Sequence, residues 1–237
     1  MRKQNSRSYP RKKEPKLKYT WSYSSISLFT QCPHKYFRLK VAKDVQEPPA
    51  DHLDYGLAVH KAAEDYIKEG TPIPEKFSFL QEQLDALVKI KGDKHCEIKL
   101  GLDRNLQACG FSSKEVWWRG IADLLIVDGE KAFLVDYKTG KSSKYADTKQ
   151  LELLSLAIFK HFPKVKKIKA GLLFVVAKDF VKAEYINDEG KGHAWLKWLD
   201  DTHRLETALK TNTWNPKSNF TCRSHCPVTD CMHNGKH

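Results

Sequence analysis

Residues 117–141 have the sequence WWRGIADLLIVDGEKAFLVDYKTGK, two apolar runs separated by a turn signal. The runs are 121–127 and 131–137, and both are rich in the β-branched and aromatic residues that favour strands. Asp128-Gly129 between them is a common two-residue hairpin turn. The pattern therefore predicts a β-hairpin.

Three charged residues interrupt the apolar runs: Asp123, Asp136 and Lys138. Asp136 and Lys138 are two positions apart, so they share one face of a strand. A loop of residues 128–131 places Asp123 opposite Asp136, and a loop of 128–129 leaves the two carboxylates diagonal on the same face, whereas a three-residue loop separates them. Charges grouped inside an apolar hairpin cost free energy unless something such as a divalent metal compensates. The ordinary alternative is solvated charge on an exposed strand face.

Length and charge limit the kinds of protein this can be. The chain has 237 residues, which suits one domain, and a net charge of +12, which favours a polyanionic partner such as nucleic acid or an anionic membrane surface. It contains no apolar run long enough to cross a membrane and no signal peptide, so we expect a cytoplasmic protein without disulfides. The six cysteines are then thiols or metal ligands.

We predict a basic, disordered tail over residues 1–20 and a single domain over 21–237. Within the domain, apolar periodicity predicts helices and strands that alternate along the chain as in an α/β fold. The predicted helices are 21–40, 54–68, 75–90, 148–160 and 189–209, and the predicted strands are 97–101, the two of the hairpin, 170–177 and an edge strand at 179–186.

The hairpin motif is Gly120-x-x-Asp123, about a dozen residues, then Asp136-x-Lys138-Thr-Gly. This pattern resembles the PD-(D/E)XK nuclease superfamily in its RecB-like branch, which includes phage exonucleases, AddB-type nuclease domains and CRISPR-associated RecB-like exonucleases. The resemblance implies a restriction-endonuclease-like α/β fold. In that fold a central mixed β-sheet is flanked by helices, and the hairpin lies in the middle of the sheet.

The helix at 54–68 contains Gly56-x-x-x-His60, which is similar to the first motif of the family. The resemblance implies that His60 is a metal ligand, although a lone helical histidine is more often structural. Glu64 stacks one turn further on the same face and is a weaker candidate. Glu97 resembles an accessory acidic residue of the branch, and a cross-strand salt bridge explains it equally well.

The resemblance also assigns roles around the hairpin. Asp123, Asp136 and the backbone carbonyl of Tyr137 are implied to hold Mg²⁺ or Mn²⁺ together with His60, and Lys138 to stabilise charge or position water. Gln150 is implied to orient Lys138 or the substrate. The family has Q-x-x-x-Y here, but this chain has a leucine, Leu154, in place of the tyrosine. Three basic residues just beyond the hairpin are expected to bind DNA phosphates: Lys141, Lys144 and Lys149.

The C-terminal sequence contains three cysteines within ten residues, Cys222, Cys226 and Cys231. In the related enzymes such cysteines join one at the position of Cys32 to hold a cluster, typically with the spacing C-x2-C-x5-C. We predict a clasp over residues 220–235 that closes onto the first helix and holds a 4Fe-4S cluster. Zinc is the alternative, helped by the nearby His225 and His233, and metal-free thiols are a third. Cys96 and Cys109 have no partner spacing.

These features together predict a metal-dependent DNA nuclease, and within that class an exonuclease, which acts in DNA recombination, repair or phage genome metabolism. DNA ends are the expected partner, with a recombination or replication protein as a further candidate, and the location is the host cytoplasm if the protein is viral. The alternative is a catalytically idle, cysteine-clasped module that binds DNA or a recombination partner. A membrane-surface protein is less consistent with the sequence, which lacks an amphipathic basic helix with aromatic residues on its other face.

Overall fold

The computed structural model describes residues 19–48, 51–187 and 193–235. The predicted disordered tail therefore lies outside the described residues, except for its last two positions. Within the described ranges the chain forms one mixed sheet with helices on both faces, as predicted.

The described chain begins with helices, continues with four strands, and ends with a helix, two strands and a last helix. In sequence they are α1 (Tyr23–Gln31), α2 (Pro33–Tyr36) continuing as a π-helical turn (Phe37–Val41), α3 (Asp51–Glu69), a 3-10 helix (Glu75–Leu80) leading into α4 (Gln81–Lys89), β1 (Asp93–Leu102), β2 (Ala108–Cys109), β3 (Trp118–Asp128), β4 (Lys131–Lys138), α5 (Lys149–His161), β5 (Lys167–Phe174), β6 (Asp179–Ile186) and α6 (His193–Thr211).

The sheet has six strands in the order β2-β1-β3-β4-β5-β6. Strands β4 and β5 are parallel and the other pairs are antiparallel, so the sheet is mixed and the hairpin β3–β4 lies at its centre. One face packs against α1, α5 and α6, and the other against α3, the 3-10 helix and α4. This is the restriction-endonuclease-like α/β arrangement that the hairpin motif predicted.

The register of the hairpin is the one that brings the carboxylates together. Val127 pairs with Ala132, as the longer predicted loop requires. Asp128 itself pairs with Lys131, so the turn residues are Gly129 and Glu130, one position later than the sequence signal indicated. Gly129 has a φ of 60°, a left-handed conformation that glycine adopts without steric cost.

Strands β3 and β4 separate beyond the pair Leu124–Val135, where their ladder ends. Strand β3 stays paired with β1 past this point, and β4 stays paired with β5 as far as Lys138. In the same register the next opposed residues are Asp123 and Asp136. The two carboxylates therefore lie where the central strands diverge.

The first predicted helix, 21–40, is interrupted in the structure. Cys32 has an extended backbone, with a φ of −161° and a ψ of 108°, and Pro33 begins α2. Proline suits the first position of a helix because its missing N–H would have no helical partner there. The N-cap of α1 is Ser22, one position after the predicted start of the helix. Among the described residues, no helix is both long enough and apolar enough to cross a membrane.

Candidate active site

Asp123 lies at the divergence of β3 and β4 and is held there by the backbone. The Tyr137 N–H donates a hydrogen bond of 2.7 Å to Asp123 Oδ2, bridging the gap that the ladder leaves open. This bond fixes the carboxylate against the strand that carries Asp136. The Tyr137 side chain is buried on the opposite face, against α3 and α4, which agrees with the predicted alternation.

Asp136 is buried, with 2% of its surface exposed. Its pKa is raised to about 6, chiefly by burial and next by the Asp123 carboxylate, while Lys138 opposes both. Lys138 Nζ lies 2.5 Å from Asp136 Oδ2. The Lys138 ammonium therefore compensates part of the charge on this buried carboxylate. Asp123 adds a second negative charge nearby, so the pair of carboxylates still favours a further cation.

His60 approaches the same point from α3, on the other side of the gap. Its Nδ1 is 3.4 Å from Asp123 Oδ2, and its ring meets that of Tyr137 edge-on. Burial lowers the pKa of His60, but the neighbouring Asp123 carboxylate outweighs burial, and the net pKa is raised. The structure therefore places His60 beside Asp123, as a ligand role requires.

Glu97 is the residue whose importance the sequence left undecided. One ligand atom each from His60, Glu97 and Asp123 lies within 4.8 Å of the others, the only such group of His, Cys, Asp or Glu found among the described residues. Glu97 is at the position of β1 that opposes Asp123, between the pairs Cys96–Leu124 and Ile98–Ala122.

The backbone at Glu97 is strained. Its φ is 50°, in the left-handed region that non-glycine residues rarely adopt within a strand. Burial raises its pKa, and the nearby Asp123 raises it further. Glu97, Asp123 and Asp136 thus lie side by side on the neighbouring strands β1, β3 and β4. This pairing of the strands identifies Glu97 as a candidate ligand.

Lys138 is positioned by a side chain of α5. Its Nζ donates to Gln150 Oε1 at 3.4 Å, which brings Gln150 to the side of the site away from His60. Leu154, one turn further along α5, is buried in the core beneath Gly120. It therefore fills an apolar position and offers no polar group where the family has tyrosine. The three lysines predicted to bind DNA are all exposed, in the segment between β4 and the start of α5.

The cysteines of the predicted clasp lie at the junction of the chain's two ends. Cys32, Cys222 and Cys226 are buried and Cys231 is half-buried, and all six cysteines are in the thiol form. The backbone N–H groups of Lys35 and Lys217 point at Cys32 Sγ at 3.5 and 3.4 Å. The C-terminal segment is also tied to the first helices, since Arg38 bridges to Asp230 at 2.8 Å.

The sulfur spacing bears on which metal group could fit. Zinc–sulfur bonds of about 2.3 Å in a tetrahedron place the sulfurs about 3.8 Å apart. Among the residues described, no three cysteine sulfurs lie within 4.8 Å of one another. His225 is exposed, with its Nδ1 against the Ser224 hydroxyl, and Cys96 and Cys109 lie in β1 and β2. The cysteine sulfurs that the structure describes are therefore not gathered into a zinc tetrahedron.

Comparison with known proteins identifies the family. The model of the PD-(D/E)XK nuclease superfamily matches residues 20–97 and 93–231, and no curated protein matches. A solved structure from Eubacterium rectale, provisionally named an exonuclease, shares 12% identity and a TM-score of 0.52, covering 91% of this chain and 90% of that one. The structure of SSO0001 shares 14% identity with a TM-score of 0.41, covering 93% and 89%. Because the family model spans nearly all of the described residues, the chain belongs to the PD-(D/E)XK nuclease superfamily.

Proposed function

We propose that this protein is a metal-dependent deoxyribonuclease that acts as an exonuclease on DNA ends. One observation carries the proposal: Asp123, Asp136 and Lys138 converge at the divergence of β3 and β4, with His60 at 3.4 Å from Asp123 and Lys138 at 2.5 Å from Asp136. Recombination, repair or phage genome metabolism in the cytoplasm is the proposed setting, with a recombination or replication protein as a further partner.

The residues fit a divalent cation. Asp123, Asp136, Glu97 and the Tyr137 carbonyl would supply the oxygen ligands that Mg²⁺ and Mn²⁺ prefer, and His60 would supply a nitrogen that favours Mn²⁺. The burial of Asp136 close to the Asp123 carboxylate supports this assignment, because one lysine does not neutralise two grouped carboxylates. When bound, such an ion lowers the pKa of its water and neutralises charge on a phosphate.

The remaining side chains prepare the site for phosphodiester hydrolysis. Lys138 carries a positive charge beside Asp136, where it can stabilise the negative charge that develops on the phosphate. Gln150 accepts a hydrogen bond from Lys138 and so limits the directions in which the ammonium can point. The Tyr137 N–H keeps Asp123 turned into the gap. These groups are held before substrate arrives, which lowers the cost of reaching the transition state.

A DNA-binding module without catalysis is the second candidate, and one experiment separates the two. End-labelled linear DNA and circular DNA of the same sequence are incubated with the protein and Mg²⁺ or Mn²⁺. We expect release of acid-soluble nucleotides from linear DNA only, and none with a chelator. Binding to both substrates without any release would support the idle module instead.

The affinity for DNA should fall steeply with salt concentration. Lys141, Lys144 and Lys149 are exposed beside the site, and each phosphate contact releases counterions. Replacing all three by glutamine should make the slope of log K against log salt shallower by about 2, at roughly 0.7 per contact. The binding isotherm is measured at several salt concentrations. A wild-type slope near zero would contradict a nucleic-acid substrate.

We further propose that Cys32, Cys222, Cys226 and Cys231 hold a 4Fe-4S cluster, with zinc as the alternative. Backbone N–H groups donate to two of the four sulfurs, which supports a thiolate site. Those of Lys35 and Lys217 donate to Cys32 Sγ, and that of Asn219 donates to Cys222 Sγ at 3.3 Å. Such N–H groups stabilise negative charge on sulfur.

A further inference from the structure

The segment between β4 and α5 displays an aromatic ring that the site described above does not use. Tyr145 is 86% exposed. Lys144 Nζ lies over one face of the ring, 5.3 Å from its centroid. The high exposure of the side chain leaves the other face open to solvent. An exposed ring of this kind is a candidate contact for a partner.

The backbone on either side of Tyr145 is anchored to the domain. The Ser143 hydroxyl donates to Asp179 at the start of β6, and the Ala146 N–H donates to the Ser143 carbonyl at 2.9 Å. On the other side, the Tyr23 hydroxyl donates to Asp147 Oδ2 at 2.7 Å. The ring is thus presented from a segment with fixed points before and after it, so binding to it orders little additional chain.

Tyr145 also lies close to the proposed chemistry. Lys138 and Gln150, the residues on the two sides of this segment, meet at 3.4 Å in the site. Tyr145 is five positions before Gln150, and a chain spans at most about 3.6 Å per residue, so its Cα lies within about 18 Å of that of Gln150. Stacked nucleotides rise about 3.4 Å each, so the ring is within reach of about five nucleotides.

The charges around the ring suit a phosphate backbone. Lys141, Lys144 and Lys149 are exposed in the same segment. The one acidic residue among them, Asp147, accepts hydrogen bonds from the Tyr23 hydroxyl and the Lys149 N–H, so its carboxylate is turned to partners within the domain. Three lysines against one carboxylate leave the segment positively charged. A fixed aromatic ring among lysines is the combination that binds single strands, because each unpaired base has an open face for stacking.

We infer that Tyr145 stacks on a base of a single-stranded DNA end and so makes single-stranded DNA the preferred substrate. The inference rests on the proposed nuclease function. Inside a duplex both faces of each base are covered by its neighbours and only the terminal pair has an open face, whereas every base of a single strand offers one, so stacking on Tyr145 favours the single strand. The lysines attract the phosphates of DNA of any sequence, and the ring adds a preference for unpaired bases.

Three substitutions at this position separate stacking from bulk: Tyr145→Phe, Tyr145→Leu and Tyr145→Ala. We expect Tyr145→Phe to stay within about twofold of wild type, and the other two to raise KM for single-stranded DNA by about 5- to 150-fold. The value of kcat and the cleavage of blunt duplex should change little. Equal behaviour of Tyr145→Phe and Tyr145→Leu, or an equal loss on duplex, would overturn the inference.

The same substitutions are also made in an Asp136→Asn background, and dissociation constants for the two DNA forms are measured there without turnover. A loss of single-strand affinity confined to the Leu and Ala variants supports stacking even if the wild-type protein cleaves no DNA. In that case the proposed nuclease function fails and the stacking assignment stands. If wild-type protein cleaves DNA and every Tyr145 variant keeps its affinity for single strands, the stacking assignment fails and the proposed nuclease function stands.

Discussion

Replacing Asp136 by asparagine should abolish DNA cleavage and, at the same time, raise the stability of the metal-free protein. The loss of cleavage, at least about 100-fold, follows from removing a proposed ligand and its charge. The gain in stability follows from the burial of Asp136, which raises its pKa to about 6. An acid whose folded pKa is raised stabilises the fold fully only below its unfolded pKa, and that stability is lost as pH rises through about 6.

Wild-type protein at pH 7 therefore bears the whole cost of the buried charge, about 2–3 kcal/mol for a shift of about two pKa units. We expect Asp136→Asn to recover most of this free energy at pH 7 and little of it at pH 4. Thermal melts at the two pH values, each with chelator and with Mn²⁺, measure the effect. The ion should raise the melting temperature of wild-type protein but not of the variant.

Two further substitutions in the hairpin make the Asp136 result specific. Asp128→Asn changes an exposed carboxylate of the same hairpin and should alter neither cleavage nor the Mn²⁺-dependent melt. Lys138→Ala should keep the response to Mn²⁺ but lose about 100- to 1,000-fold in rate, as for loss of one charge-stabilising donor. If Asp136→Asn turned over DNA at nearly the wild-type rate, this hairpin would not be the active site.

Replacing Cys32 by alanine should lower the thermal stability well before it affects the chemistry. Cys32 and the C-terminal cysteines are far apart in sequence, so only strong bonds can outweigh the entropy of bringing them together. A loss of about 5 kcal/mol would lower the melting temperature by about 10–20 °C in a domain of this size. The same result is expected for Cys222, Cys226 and Cys231. Cys96→Ala and Cys109→Ala are the matched controls and should melt close to wild type.

The colour and metal content of the protein identify what the cysteines hold. Anaerobically purified protein should be brown, with visible absorbance that the Cys32→Ala variant lacks. Colourless protein with one equivalent of zinc would replace the cluster by zinc and leave the nuclease proposal intact. Fully stable protein without metal, in which all four thiols react with a thiol reagent, would contradict the clasp.

The sequence predicted the centre of the fold because its signals there are local. Apolar alternation and the turn near Gly129 define the hairpin and its register, and the register alone brings Asp123 opposite Asp136. The predicted turn, Asp128-Gly129, lies one residue before the observed turn, Gly129-Glu130, because both Asp128 and Gly129 are residue types that favour turns. The predicted helix 21–40 ran through the break at Cys32, where α1 ends in the structure.

Contacts between distant segments could not be derived from local patterns. His60 reaches Asp123 from α3 on one face of the sheet, and Gln150 reaches Lys138 from α5 on the other face. Only the resemblance to a family placed these residues together. Glu97 remained undecided because a cross-strand salt bridge explained it equally well. The pairing of β1 with β3, which sets Glu97 opposite Asp123, joins strands that are distant in sequence.

The hydrogen bond from the Lys217 N–H to Cys32 Sγ joins residues 185 positions apart, and it has a consequence for synthesis of the protein. A ribosome that adds about 5–20 residues per second makes Lys217 about ten to forty seconds after Cys32. Throughout that interval the end of α1 and its thiol lack their final cover. The nascent chain should therefore become resistant to protease in two stages, the sheet first and residues near Cys32 only after the C-terminal segment emerges.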